Sequence, residues 1–174
     1  NFYDMAVSAK PATETQTRLL DAAEALIAIH GIAATSLRQI TEEAGVNLSL
    51  VKYHFGSKEG LVDAMLRRRM DPINEQRIVL LKELERRIPK GELPLEEGLE
   101  ALIRPVVELC LCSGKEGMRF LRVFSRIFSE PASSMRMMHK QMGPMFKNFN
   151  AAFDRALPST KPRDRVWRHM ASLG

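Results

Sequence analysis

The sequence predicts an all-α protein: a three-helix head presenting a helix-turn-helix, joined to a larger helical body. Three observations predict it. Apolar residues recur at helical spacing in the long segments, and no segment alternates with the strand period of two. No internal repeat or low-complexity tract interrupts them. The stretch Thr35–Gly60 compresses a capping box, two glycine stops and a helix of barely two turns.

Met5 to Thr13 is read as a disordered arm, with Lys10 near phosphate. Asn1 to Asp4 is either native or a remnant ahead of a start at Met5. A first helix starts at Thr15 or Thr17 and runs to His30 on Leu19, Leu20, Ala23, Leu26 and Ile27. Asp21 and Glu24 are expected to face outward near its start, where the helix dipole favours acids. Gly31 stops it, and His30 is a terminal helix residue rather than a ligand.

Ser36 and Gln39 form the capping box of the second helix, whose Leu37, Ile40 and Ala44 share a face. Gly45 takes the left-handed conformation that ends it. Asn47 caps the third helix, where Val51 and Phe55 point inward. Leu48, Ser49, Leu50, Lys52 and Tyr53 are left pointing outward. So short a helix needs neighbours to hold it, because nucleation is costly. The geometry is that of a helix-turn-helix, whose second helix enters the DNA major groove, or of an ordinary core corner.

Ser57 caps a helix through Leu61, Val62, Met65 and Leu66 to Arg67-Arg68-Arg69. The triple arginine is read as a solvated face or helix end, with DNA contact as the alternative. Asp71-Pro72 begins a new or kinked helix to Arg87. Pro94 opens the next, Pro105 kinks or splits it, and Val106–Leu111 is expected to be buried nearly all round. Gly117–Ser129 sets Phe120, Leu121, Phe124, Ile127 and Phe128 on one face and Arg119, Arg122 and Arg126 on another. Ser133–Leu157 is methionine-rich, with Gly143-Pro144 as a kink. A last helix from Arg163 carries Val166, Trp167 and Met170, and the sequence is expected to stop inside it.

Gly45-Val46-Asn47, Val51-Lys52-Tyr53-His54-Phe55 and Ser57-Lys58-Glu59, with Gly31, Thr35, Ile40 and Ala44, resemble the DNA-binding domain of TetR-family transcriptional regulators. The resemblance covers roughly Thr15 to Leu66. Leu50 and Lys52 stand where many members carry Thr and Tyr, which bears on the operator sequence and not on the fold. Phe120–Pro131, Arg155-Ala156-Leu157-Pro158 and Trp167-Arg168 are similar to the fatty-acid-responsive, PsrA-like branch. That likeness implies a long-chain acyl ligand, as the free acid or a thioester.

Composition fits a DNA-binding regulator without locating its surface. The net charge is +5, yet residues 1–70 hold eight Lys/Arg and eight Asp/Glu, so the head is neutral. Placement of its few cations must do the work. Residues 115–168 hold twelve Lys/Arg and four Asp/Glu, a surplus that suits solvated surface or an anionic ligand head. No run of eighteen apolar residues exists, so no transmembrane helix is expected. Cys110 and Cys112 are read as buried or semi-buried thiols of a cytoplasmic protein.

No enzyme is expected. Ser49 and Lys52 match the S-x-x-K spacing of serine β-lactamases, but the companion motifs are absent. The four histidines offer no H-x-x-x-H or E-x-x-H pair, and no glycine-rich phosphate loop occurs, so neither metal nor cofactor is expected.

The expected organisation is a DNA-binding head over 14–57 and a ligand-binding and dimerisation body over 58–174. The expected function is a homodimeric repressor, released from a palindromic operator by an apolar or acyl ligand. A DNA-binding dimer with no small-molecule input and an all-α interaction module are the alternatives. Thr35, Lys52, Tyr53, His54 and Lys58 are expected on phosphates, Asn47, Leu48, Ser49 and Leu50 at base edges, and Ser36 within the same DNA-binding set. The ligand is expected among Met65, Met70, Ile103, Val107, Cys110, Phe120, Phe124, Phe128, Met142, Phe146, Phe149 and Trp167, since Phe and Met cluster where helices kink. The helix from Lys58 is expected to carry the signal to the head.

Overall fold

A computed structural model describes the backbone of residues 12–128 and 132–158, and the side chains of 12–127 and 141–158. Every regular element among the described residues is a helix: α1 (Glu14–His30), α2 (Leu37–Ala44), α3 (Leu48–Phe55), α4 (Lys58–Arg87), α5 (Leu95–Cys112), α6 (Gly114–Phe128) and α7 (Ala132–Ala156). The all-α fold read from the sequence is the one observed. The arm through residue 11, the side chains of Phe128, Met135, Met137 and Met138, and everything from Ser159, including Trp167, lie outside the described residues.

The chain divides into two compact units, Asn1–Ile73 with Glu108–Gln141, and Asn74–Val107 with Met142–Gly174. The expected head lies whole in the first, along with the first half of α4 and all of α6. There α1 packs against α2 and α6, and α2 against α3. Leu19, Ala23 and Ile27 of α1 are fully buried, as are Ile40, Leu61 and Ile127. Each large aliphatic side chain so placed contributes roughly 1.5–3 kcal/mol. Helix α1 starts earlier than its apolar spacing suggests. Thr13 is its N-cap, in a reciprocal box with Gln16, and this fixes the first turn ahead of the first apolar residue.

Glu24 corrects the sequence reading. It is 1% exposed, on the same stripe as Leu20 and Ile27, and binds Arg68 and Arg69. Those two arginines are therefore interior partners, not a solvated face, and the helix does not end near them. Asp71-Pro72 likewise starts nothing: α4 runs unbroken from Lys58 to Arg87. An interior proline costs about 3 kcal/mol, and the full burial of Met70 and Ile73 beside it is what offsets that.

In the second unit, Leu81, Leu84, Leu102, Met142, Met145, Phe149 and Phe153 are buried. The Phe149 and Phe153 rings lie 6.0 Å apart. Pro105 neither splits α5 nor leaves its carbonyls idle: Arg77 Nε donates to the Leu102 carbonyl at 2.7 Å. Burial pushes the Arg77 guanidinium down to about 10, so it is charged at neutral pH. Arg155 Nη2 donates to the carbonyls of Ile88 (2.6 Å) and Gly91 (3.2 Å), closing the α4–α5 loop onto α7. Gly143 and Pro144 also remain inside a helix.

The stretch Val106–Leu111 is not buried all round. Leu109 is buried, but Val107 is exposed and Leu111 is 77% exposed. An apolar run marks no face by itself, and here only one stripe of α5 packs inward. Cys112 is exposed rather than semi-buried, while Cys110 is half-buried and its thiol pKa is raised by that burial.

Candidate nucleic-acid interface

The corner between α2 and α3 is built by local chemistry. Ser36 Oγ accepts from the Gln39 N–H at 3.2 Å, and Gln39 Oε1 accepts from the Ser36 N–H at 2.8 Å. Gly45 closes α2 at φ 61°, ψ 41°, a left-handed position. Asn47 caps α3 through Oδ1, which accepts from the Ser49 N–H at 2.8 Å. Arg18 of α1 clamps the turn, its Nη2 donating to the Gly45 carbonyl at 3.2 Å. Val51 alone of α3 is fully buried, beneath an outward face.

That face carries Leu48 at 52% and Tyr53 at 81% exposure, with Ser49 and Lys52 also exposed. Leu50 and His54 are half-buried, and the Tyr53 and His54 rings meet edge-on with centroids 4.8 Å apart. One cation, one phenol, one hydroxyl and two leucines suit a groove floor: Lys52 and Tyr53 for phosphate oxygens, Leu48 for a thymine methyl, Ser49 for either groove partner. Asn47 has spent its side-chain oxygen on the cap, which leaves its amide N–H groups for a base edge.

One expected contact is corrected, and another gains a second partner. Thr35 is buried, and its hydroxyl donates to the Gly31 carbonyl at 2.7 Å, so it braces the α1–α2 loop from inside. Lys58 reaches back to the Ile32 carbonyl at 2.5 Å. Beside it, the Glu59 carboxylate is held below its ordinary pKa by its own backbone N–H and then the Ser57 hydroxyl. The start of α4 is thus already supplied with an anion. Both residues sit at loop carbonyls that a sequence pattern does not display.

The sequence reading also missed Arg18, Gly60 and the Glu24 cluster. Gly60 has a visible physical reason, since a Cβ there would overlap the Phe55 carbonyl oxygen. Its signal is the glycine itself, inside the first turn of a helix where nothing else calls for one.

The residues expected to hold a ligand fall in both units. Met65, Met70, Cys110, Phe120 and Phe124 belong to the first unit; Ile103, Val107, Met142, Phe146 and Phe149 belong to the second. Met65, Met70, Phe120, Met142 and Phe149 are core. Ile103 and Val107 are exposed, and Phe124 and Phe146 half-buried. Met65 and Phe120 do meet, at a cavity of about 10 Å³ shared with Glu24, Leu66, Arg69 and Val123, which is room for about one water. Among the described residues no cluster of His, Cys, Asp or Glu fits a metal, and no helix is long and apolar enough to cross a membrane.

A family profile of bacterial regulatory proteins, tetR family, matches residues 19–65, and one of the tetracyclin repressor-like C-terminal domain matches residues 100–174. The chain belongs to the TetR family. It is 26% identical to the HTH-type transcriptional regulator BetI of Paraburkholderia phymatum over 82% of this chain and 69% of that one. Among solved structures it is similar to the SmeT–triclosan complex, with a TM-score of 0.58, 24% identity and coverage of 84% of this chain and 65% of that one. A regulator from Saccharomonospora viridis in complex with choline gives a TM-score of 0.57, 19% identity and coverage of 93% and 82%. These two likenesses are of fold. The family fixes the class: TetR-family proteins are DNA-binding transcriptional regulators with a ligand-binding C-terminal domain, not enzymes. The interaction-module reading falls with that assignment.

Proposed function

We propose that this TetR-family chain is a homodimeric repressor that leaves a palindromic operator when a small apolar or acyl ligand enters its body. The observation that carries the reading is the outward face of α3, with Tyr53, Leu48, Ser49 and Lys52 exposed around a fully buried Val51. One helix this short reads few base pairs, and a two-fold partner doubles the contacts. Ser36, Asn47, Leu48, Ser49, Leu50, Lys52, Tyr53 and His54 are the DNA set, with 14–57 as the head and 58–174 as the body. The segment 133–157 is the dimer surface, together with the stretch from 163, which lies outside the described residues, and the protein works in the cytoplasm.

The body over 58–174 offers many phenylalanines and methionines to a ligand, a single tryptophan, Trp167, and no tyrosine. That lining suits an alkyl or aryl group better than a quaternary ammonium, which is best held by Trp and Tyr faces. Triclosan, in the SmeT complex, is of the first kind; choline, in the S. viridis regulator, is of the second. The likeness of 120–131 to the PsrA-like branch favours a fatty acyl chain. Between Met65 and Phe120 about 10 Å³ is open, so a ligand entering there parts packed side chains and selects a second arrangement of the body.

Native mass spectrometry for a co-purified lipid, followed by thermal unfolding with fatty acids and acyl thioesters, tests this. At a hundred times Kd a ligand adds about 2.7 kcal/mol, or roughly 5–10 °C in Tm for a chain of this size. The same ligand is expected to lower operator affinity. Stabilisation by choline and by no acyl compound would contradict the ligand class.

A further inference from the structure

In the first unit two arginine side chains converge on one buried carboxylate through three hydrogen bonds. Arg69 grips Glu24 in a fork, Nη2 to Oε1 at 3.0 Å and Nε to Oε2 at 3.1 Å, and Arg68 Nη2 reaches Oε2 at 2.8 Å. Each arginine also holds a second acid. Arg68 Nη1 lies 2.7 Å from Asp21 Oδ1, and Arg69 Nη1 lies 3.1 Å from Glu116 Oε2 in the first turn of α6. Burial works against the charge on Arg69, but Glu24 and then Glu116 outweigh it and raise its pKa. Arg68 Nε is buried with no partner.

One carboxylate thus ties α1 to α4 and, through Arg69, to α6. Farther along, Arg126 Nη2 of α6 donates to the Ile29 carbonyl near the end of α1 at 2.9 Å. Between these two ties stand Phe120 and Val123, beside the small cavity. Apolar contact alone tolerates a shift of one helix along another. Bidentate, charge-assisted bonds do not, because their geometry is directional. Buried ion pairs also cost desolvation, and apolar replacements are often as stable, so register is the better-attested use of such a cluster.

We propose that the Glu24 carboxylate is a positioning residue: it fixes the angle of the head on α4 and α6, and so sets the half-site spacing that the dimer accepts. The inference rests on the palindrome-binding dimer proposed above. Helix α1 carries α2 and α3 with it through its packing and through the Arg18 clamp on Gly45. A turn of α1 about Glu24 therefore moves the reading face. One inserted base pair displaces a half-site by about 3.4 Å and rotates it by about a tenth of a turn, enough to expose a loosened joint.

The test compares operators with the selected spacing, one base pair more and one fewer, and a single half-site, for the full chain, Glu24→Gln and Glu116→Gln. The unaltered chain is expected to lose about tenfold in affinity per base pair of altered spacing. Glu24→Gln should shrink that penalty to roughly threefold or less while its half-site affinity stays unchanged. Glu116→Gln removes only the α6 arm and leaves both arginines on Glu24, so it folds, and its penalty should shrink in part. If Glu24→Gln does not fold, Glu116→Gln decides alone. A full spacing penalty in every variant that folds overturns the positioning role. A flat spacing profile in the unaltered chain overturns the palindrome-binding dimer, and the positioning role with it.

Discussion

Gly60→Ala is expected to lower operator affinity by about tenfold to a hundredfold, or roughly 1.4–2.7 kcal/mol, and stability by roughly 1–3 kcal/mol. Gly60 lies in the first turn of α4, where its N–H donates to Ser57 Oγ at 3.1 Å. A Cβ there would overlap the carbonyl oxygen of Phe55, the last residue of α3. That neighbour is backbone, so no rotamer change relieves the clash, and α3 or α4 has to move. Movement of α3 tilts the face that carries Tyr53 and Lys52. Gly143→Ala is the control: it too lies in a helix, but a Cβ there meets nothing within 4 Å, and it should be neutral or stabilising by about 0.4–1 kcal/mol. Urea unfolding and gel-shift titration of both variants check the pair; equal behaviour would remove Gly60 from the corner's machinery.

Lys52→Ala with Tyr53→Ala should cost about a hundredfold in operator affinity near physiological salt, with no change in Tm. Both side chains are exposed and neither contributes to the core, so stability has nothing to lose. Lys52 as a phosphate contact predicts a second result: the slope of log K against log salt falls by about one when it is removed. Tyr53 gives a phosphate hydrogen bond without a charge, so its loss lowers affinity and leaves the slope alone. An unchanged slope in the double variant would take Lys52 off the phosphate backbone.

The head was legible because its signals are local. A capping box, a left-handed glycine and an Asn cap each act within four residues, and at Ser36, Gly45 and Asn47 the sequence displays them. Thr35 was misread, and the Ile32 bond of Lys58 missed, because their partners, the carbonyls of Gly31 and Ile32, are backbone atoms that every residue carries. Glu24 was misread for a different reason. Helical dipole logic allots acids near an N-terminus to solvent, and only the pairing with Arg68 and Arg69, far along the chain, makes burial affordable. The spacing Leu20–Glu24–Ile27 did put an acid on an apolar stripe, which was the available signal. Pro72 and Pro105 were read as starting, splitting or kinking a helix and Pro144 as a kink within one; burial of neighbours such as Met70, Ile73, Leu102 and Met145 keeps each helix continuous. Tertiary packing of that kind has no local signature.

On the function proposed above, the outward face of α3 reads DNA as half of a symmetric pair. Selection of binding sites from random duplex DNA, run in parallel with the unaltered chain and with the Lys52→Ala, Tyr53→Ala variant, tests it most directly. The unaltered chain is expected to enrich a two-fold symmetric motif, with half-sites about 34–36 Å apart or a multiple of that, and the variant to enrich little. Equal enrichment of the same motif by both proteins, or of no motif by the unaltered chain, would contradict it.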